Sequence, residues 1–331
     1  METKDYRLSI APMMDWTDRH FRFFMRQITK QTLLYTEMIT AEAILRGERS
    51  KLLNFSQEEH PLCLQIGGSD PKKLAEAAAI GEAWGYDRIN LNVGCPSDRV
   101  QEGRFGACLM LEPKLVRTCI EAMRDRVSVP VTVKHRIGVD EYSSYEWMKG
   151  FVEEVALGGC AHFTIHARSA WLKGLSPKEN REIPPLRYDE VHRLRAERSD
   201  LWIEINGGIL SLEQAAEHTK YVDAVMIGRA AYFDPFLFVD ADSCFFEQSP
   251  PHRTRSGVMK AMRSYLEEQA SKGHLHAVTR HMMGLWHGKR GARTWRRFLS
   301  EISQESASLS LKKYDNILDS FSSIEEESVE N

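Results

Sequence analysis

Apolar residues along the chain follow two regimes. From residue 7 to residue 229, short β-branched runs alternate with longer segments of helical spacing: "RLSIAPM" (7–13), "LLYTEM" (33–38), "LCLQIG" (62–67), "RINLNVG" (88–94), "VTVKHR" (131–136), "HFTIHAR" (162–168), "WIEING" (202–207) and "AVMIGR" (224–229). Continuous runs of this kind suit parallel strands buried on both faces. From Asp240 onward no such run occurs, and "SGVMKAMRSYLEEQASKG" and "HAVTRHMMGLWHGKRGARTWRRFLSEI" place apolar residues at helical spacing.

Helix signals fill the gaps between the runs. In "SDPKKLAEAAAIGEAWG", Asp70 is placed to cap, Pro71 to open and Gly85 to stop a helix. In "SLEQAAEH", Ser211 and Gln214 have capping-box spacing. Eight β/α units predict a (β/α)8 TIM barrel rather than a doubly wound sheet. The expected division is a barrel domain over 1–239 and a small all-helical domain over 240–331, whose acidic end "SSIEEESVEN" is expected to fray into solvent.

Composition changes this picture little. The chain has 331 residues, 42% hydrophobic and 27% charged, with a net charge of −3, which fits an ordinary soluble globular protein. No apolar run is long enough to span a membrane and no signal-peptide pattern opens the chain, so a cytoplasmic monomer is the default expectation. The six cysteines form no CxxC pair and the twelve histidines no HExxH pattern, so reduced thiols and no metal site are expected.

In a barrel of this type the C-terminal strand ends build the active site. Read in order, those ends carry Ala11, Pro12 and Met13, then Gln65, then Asn92 and Cys95, then Lys134, then His166. The last two carry Asn206, Gly207 and Gly208, and then Gly228 and Arg229. Either glycine site alone is explained by a tight turn; both together, after strands seven and eight, point to a phosphate, with Arg229 adding charge. By alternation Lys134 faces either the site or solvent, and a lone histidine in "TIHAR" is as readily a core residue as a ligand. A bound phosphate near a lysine, a glutamine and a histidine suggests flavin mononucleotide (FMN), with Lys134 stabilising charge on the ring and Gln65 bonding its edge. No GxGxxG follows any strand, so a nicotinamide cofactor would visit the flavin rather than own a dinucleotide fold.

Charge is distributed unevenly. Between Val278 and Ser300 lie Arg280, Lys289, Arg290, Arg293, Arg296 and Arg297 with no acidic residue, which favours phosphate contact over a merely solvated face. Trp286 and Trp295 in the same stretch are spaced as core residues rather than as base-stacking platforms. "SPKENR" puts Lys178 and Arg181 on the loop after strand six.

Taken together, "SIAPMMDWTDRHFR", "LLYTEM", "LQIGGSDP", "INLNVGCPSDRV", "GACLM", "VTVKHRIG", "IHAR", "SPKENREIPPL", "INGGI" and "GRAAYFDP" resemble the tRNA-dihydrouridine synthases. The opening "APMMDWTDRH", the "SPKENREIPPL" loop and the late "TRHMMGLWHG…GARTWRR" resemble the A-type branch. The resemblance implies a flavoenzyme in which NADPH reduces FMN, and hydride then adds to C6 of D-loop uridines 20 and 20a of tRNA. It assigns the proton for C5 to Cys95. A free thiol suits that role, being mostly protonated at neutral pH yet giving up its proton at modest cost. The resemblance also implies that Asn92, Lys178, Arg181, Arg293 and Arg296 contact tRNA. A dihydroorotate-type FMN barrel would share Lys134 and the glycines but has no use for the basic helices. A non-catalytic RNA-binding barrel has no use for Cys95, Lys134 and His166.

Overall fold

All eight apolar runs form parallel strands: β1 (Leu8–Ile10), β2 (Leu34–Tyr35), β3 (Leu62–Gly67), β4 (Arg88–Val93), β5 (Val131–Arg136), β6 (His162–His166), β7 (Trp202–Asn206) and β8 (Ala224–Ile227). The structure is a computed structural model that describes residues 6–302 and 307–327. Each strand pairs with the next in chain order from β3 to β8, and β8 returns to β1. β2 pairs with β3, and a bridge between Ser9 and Leu33 closes the ring. Two backbone bonds, Ile10 N–H to the Leu33 carbonyl at 3.0 Å and Leu33 N–H to the Leu8 carbonyl at 3.1 Å, make that closure. A two-residue strand, Ile39–Thr40, pairs with the end of β3.

Strands buried on both faces were expected, and they are. The two faces nevertheless differ in chemistry. One set of side chains packs outward on helices: a Cβ added at Gly81 of the helix Pro71–Trp84 would meet Leu64 and Ile89 within 3 Å. The alternate set points into the barrel and is largely polar, apart from a cluster that includes Ala11, Tyr35, Cys63 and Met226. Ser9 of β1 and Thr164 of β6 both donate to the Glu204 carboxylate of β7, and Ser9 reaches it past the intervening β8 only through the interior. Burial raises the Glu204 carboxyl above its usual range. The barrel is thus held from outside by apolar packing, and its bore is left for hydrogen-bonding chemistry.

The predicted helix signals are realised. Asp70 accepts from the N–H groups of Lys72 and Lys73, and Gly85 ends the helix at φ +109°, the left-handed conformation that glycine adopts at little cost. Ser211 accepts from Gln214 N–H, but the return bond from Gln214 goes to Leu210 N–H rather than to Ser211.

The chain divides into two compact units, and the division is not a single cut at 239/240. Among the described residues one unit comprises 6–14, 33–55 and 60–228; the other comprises 15–32, 56–59, 229–302 and 307–327. In the second unit the helix Arg19–Arg26 belongs with the C-terminal helices, because its N-cap Asp18 is bonded to the helix Leu275–Met282. Asp18 bonds Arg280 at 2.7 Å and His281 at 3.0 Å. Arg22 pairs with Glu59 at 2.7 Å, and Asp242 accepts from Thr29, Lys30 and Gln31. Burial alone would raise the Asp18 carboxyl, but the bonds from His281, Phe21 N–H and Arg280 outweigh it and hold it well below the carboxylate range.

The acidic end does not behave as composition predicts. Residues 322–327 continue the helix Ala307–Glu327. There Glu325 accepts from the N–H groups of Arg255 and Ser256 at 2.7 and 2.9 Å, capping the helix Arg255–Ser271. Residues 328–331 of the expected frayed tail lie outside the described residues. Among the described residues, no helix is long and apolar enough to cross a membrane, and no group of His, Cys, Asp or Glu could hold a metal ion.

Candidate active site

Eight parallel strands bring their C-terminal ends to one mouth. The most constrained feature there is the loop after β4. Asn92, near the end of the strand, uses its side-chain oxygen to accept from Gly94 N–H at 3.1 Å and Cys95 N–H at 3.0 Å. The Cys95 carbonyl accepts from Ala107 N–H at 2.9 Å, and the Gly94 carbonyl accepts from the Arg136 guanidinium at 2.9 Å. Gly106, at φ +72°, lets its neighbours close on this loop, since a Cβ there would sit 2.6 Å from the Cys95 carbonyl. The half-buried Cys95 thiol is left 3.5 Å from the Ser97 hydroxyl. Cys95 therefore sits where the strand β4 gives way to a tightly bonded loop. The backbone is pinned at every step so that the sulfur has a fixed place.

Behind this loop runs a polar network through the bore. The Asn92 amide donates to Gln65 at 2.8 Å, Gln65 donates to Asn90 at 2.8 Å, and Asn90 donates to Thr132 at 2.8 Å. Asn92 stands opposite Lys134 in the β4–β5 register. Lys134 donates to the Asn206 side-chain oxygen at 3.0 Å, and Asn206 in turn donates to the Met226 carbonyl. Of the two orientations alternation left open for Lys134, the structure takes the inward one. Burial, and then the neighbouring Arg136 charge, lowers the Lys134 ammonium to about 8.

His166 stands opposite both Arg136 and Asn206 in register. Its Nδ1 is buried with no hydrogen-bond partner. Burial above all, then Arg136 and Lys134, pushes its pKa well below the usual imidazole value, so the ring is neutral. A neutral ring nitrogen without a partner, inside a polar bore, is an open hydrogen-bonding position.

The glycines after β7 are conformationally required. Gly207 and Gly208 have φ of +117° and +72°, and a Cβ on Gly208 would lie 2.5 Å from Leu186. Gly228 has no positive φ and only Ala11 near it, at 3.8 Å, which puts the ends of β8 and β1 side by side. Ala11 is buried there, and Pro12 and Met13 are half-buried. Arg229 opens the helix that follows β8 and is the first residue of its stretch of the second unit.

The predicted residues therefore divide into groups. Gln65, Asn92 and Cys95 are joined by hydrogen bonds, as are Lys134 and Asn206; His166 neighbours Asn206 in register, and a Cβ on Gly207 would lie 3.3 Å from its Nε2. Lys178 and Arg181 are exposed on the loop after β6. Arg293 and Arg296 are exposed in the second unit on the helix Ala292–Ile302, and neither pairs with an acid among the described residues. Trp295 and Trp286 are core residues, as their spacing predicted, and Arg280 is committed to Asp18.

Three residues were missed in the sequence. Asn90 is the relay between Gln65 and Thr132. Glu204 is the carboxylate of the bore. Arg136, buried and lowered to about 10 chiefly by burial, donates to the carbonyls of Gly94, Ser169 and Asn180. It ties the Cys95 loop to the loop carrying Lys178 and Arg181. The signal for it was present: it follows Lys134 by two positions and so shares its inward face.

The chain matches the family described as dihydrouridine synthase over residues 9–322. It is 58% identical over 295 residues to a protein of Synechocystis sp. named tRNA-dihydrouridine(20/20a) synthase, covering 89% of this chain and 88% of that one. Proteins with the same name from Vibrio parahaemolyticus and Vibrio cholerae are 54% and 55% identical, covering 92% and 90% of this chain and 94% and 92% of theirs. Among solved structures, a 2-naphthoyl-CoA reductase complex superposes with a TM-score of 0.55 at 11% identity, over 71% of this chain and 49% of that chain, which is a likeness of fold.

Proposed function

The chain belongs to the dihydrouridine synthase family, and from that premise we propose that it reduces the C5–C6 bond of D-loop uridines 20 and 20a in tRNA, using FMN and NADPH. What carries this reading is the Cys95 loop, bracketed by Asn92 directly across from Lys134. A general acid and an inward cation are thereby held at one strand-end layer of a polar bore.

The residues fit a flavin. The orphaned His166 Nδ1, the inward Lys134 and the bare backbone at Gly207 and Gly208 are hydrogen-bonding groups of the kind that a phosphate-bearing ring system uses. Lys134, Gln65 and His166 would hold the ring side. Asn206, Gly207, Gly208 and Gly228 would hold the phosphate side, with Ala11, Pro12 and Met13 walling the mouth and Arg229 adding its charge to the phosphate. When bound, FMN reduced by NADPH supplies the hydride that adds to C6 of the uracil.

The chain's own residues do the rest. The Cys95 thiol gives its proton to C5, and the resulting thiolate is reprotonated from solvent. Asn92 and Arg136 keep the sulfur in place while it acts, so no reorganisation is needed at the moment of transfer. Lys178 and Arg181 on the barrel, and Arg293 and Arg296 on the C-terminal helices, bind tRNA phosphates. A target uridine stacked in the RNA must be extruded to reach the bore. One chain carries every residue named for the chemistry, which supports a monomer, and six free thiols with a tRNA partner support a cytoplasmic setting.

The test is direct. The purified protein should be yellow and release FMN on denaturation, and with NADPH it should form dihydrouridine at positions 20 and 20a of unmodified tRNA. A colourless protein that binds tRNA would favour the non-catalytic barrel. Turnover of free pyrimidines in preference to tRNA would favour the dihydroorotate-type reading.

A further inference from the structure

We propose that Trp171 is a stacking platform for a nucleobase adjacent to the uridine delivered to Cys95, an inference that rests on the tRNA reading above. Trp171 lies on the loop after β6 and leaves 51% of its surface exposed. Among the described residues its ring packs on no other aromatic ring. Exposure of a large indole leaves apolar surface in water, and loops are generally more mobile than the elements they connect. Here the backbone is fixed.

All six backbone polar groups of residues 170–172 are bonded. Ala170 N–H donates to the Gly138 carbonyl at 2.8 Å, and its carbonyl accepts from Asp140 N–H at 2.8 Å. Trp171 is clamped by the fully buried Asn180, whose side chain accepts from Trp171 N–H at 2.7 Å and donates to its carbonyl at 2.9 Å. Leu172 N–H donates to the Asp140 carboxylate at 2.8 Å, and its carbonyl accepts from Gln101 at 2.9 Å. Asp140 makes that contact from φ +48°, a left-handed conformation that aspartate adopts more readily than most side chains. So the protein orders the backbone on both sides of an indole that it does not bury.

Location and charge identify the occupant. The Gln101 amide that holds Leu172 also donates to the Pro96 carbonyl at 2.8 Å, so one side chain joins the Trp171 loop to the residue after Cys95. On the same loop Lys173, Lys178 and Arg181 are exposed alongside Glu179 and Glu182, while Arg187 further on is paired with Glu190 at 3.0 Å, in a protein that is net acidic. An aromatic face among cations matches a nucleobase on a phosphate backbone. Extruding a uridine breaks its stacking with its neighbours, and a rigid indole beside the entry point replaces one of those lost faces.

Stacking is worth a loss of about 5- to 150-fold on truncation to alanine. Trp171→Ala should raise KM and Kd for tRNA within that range, with kcat at saturating tRNA and NADPH-driven flavin reduction unchanged. Because no counterion is involved, the slope of log Kd against log salt should match the parent. Trp171→Phe should recover most of the affinity and Trp171→Leu should not. Parental affinity in Trp171→Ala, or full recovery by Trp171→Leu, would overturn the platform. A parent enzyme that forms no dihydrouridine in tRNA at all would instead remove the tRNA reading, and this shows before any variant is compared.

Discussion

The side-chain oxygen of Asn92 accepts from the backbone N–H of Cys95 at 3.0 Å while its amide donates to Gln65 at 2.8 Å, so one residue couples the thiol loop to the bore. This suits Asn92 to a positioning role beside the tRNA contact that the family resemblance implies for it. Asn92→Ala should slow transfer from reduced enzyme to tRNA by roughly 10- to 100-fold, the scale of a misplaced reacting group, and leave flavin reduction by NADPH intact. Asn92→Asp keeps the acceptor for the loop N–H groups but replaces the donor to Gln65 by a carboxylate oxygen facing the Gln65 oxygen. It should therefore retain more transfer activity than the alanine variant. Equal loss in both would mean that the amide acts on the base and not on the loop.

Lys134 carries a pH signature. Its ammonium is held at about 8 in the fold, against about 10.4 in the unfolded chain. Between those values the unfolded chain binds the extra proton, so stability rises with pH across that window. Below about 8 the full cost of the buried charge is present. Flavin-free Lys134→Met should therefore melt a few degrees above the flavin-free parent at neutral pH, and the gap should shrink toward pH 10. The same variant should bind less FMN and reduce tRNA poorly. Thermal melts of both proteins from about pH 7 to about pH 10 decide this, and a variant no more stable than the parent at any pH would mean that the charge is fully compensated.

How much of this could be read in advance depended on the range of each signal. Cys95, Lys134 and the Gly207–Gly208 pair lie at the ends of runs with period-2 alternation, so strand-end position alone brought them out. Arg136 shares that alternation and was readable, but a terminal arginine in "VTVKHR" looks like a solvated strand end until Gly94, Ser169 and Asn180 are seen to meet it. The membership of residues 15–32 in the helical unit could not be read locally. It rests on Asp18 meeting His281 across 263 positions and on Asp242 meeting Thr29 across 213. Glu325 is the same case, since acidic composition predicts solvation and a distant helix N-terminus supplies two donors instead.

Arg293 and Arg296 lie one turn apart on a helix whose opposite face buries Trp295, Phe298, Leu299 and Ile302. Their removal should leave the core alone. The double variant Arg293→Ala with Arg296→Ala should bind tRNA more weakly, and the slope of log affinity against log salt should become shallower by roughly 1.5 to 2 as two phosphate contacts are lost. NADPH oxidation coupled to flavin should continue at the parental rate. Unchanged affinity and slope would mean that tRNA docks elsewhere.

Cys95 separates the two half-reactions. Flavin reduction by NADPH needs no proton donor to carbon, so Cys95→Ala should be reduced at the parental rate. Saturating C5–C6 does need one, and loss of a positioned acid costs about 10²–10⁴ in rate. Reduced Cys95→Ala enzyme mixed with tRNA should then reoxidise slowly and yield little dihydrouridine. The control is Cys108→Ala. That thiol donates to the Phe105 carbonyl at 3.0 Å and burial raises its pKa, so it is a satisfied structural group. Its loss should leave transfer within about twofold of the parent, as expected for a group outside the proton path. Because Asn92, Arg136 and Ala107 hold the loop through backbone atoms, Cys95→Ala keeps all of those bonds and removes only the sulfur with its 3.5 Å contact to the Ser97 hydroxyl. Dihydrouridine formed by Cys95→Ala at the parental rate would therefore show that the thiol is structural, because no displacement of the loop could be blamed or credited.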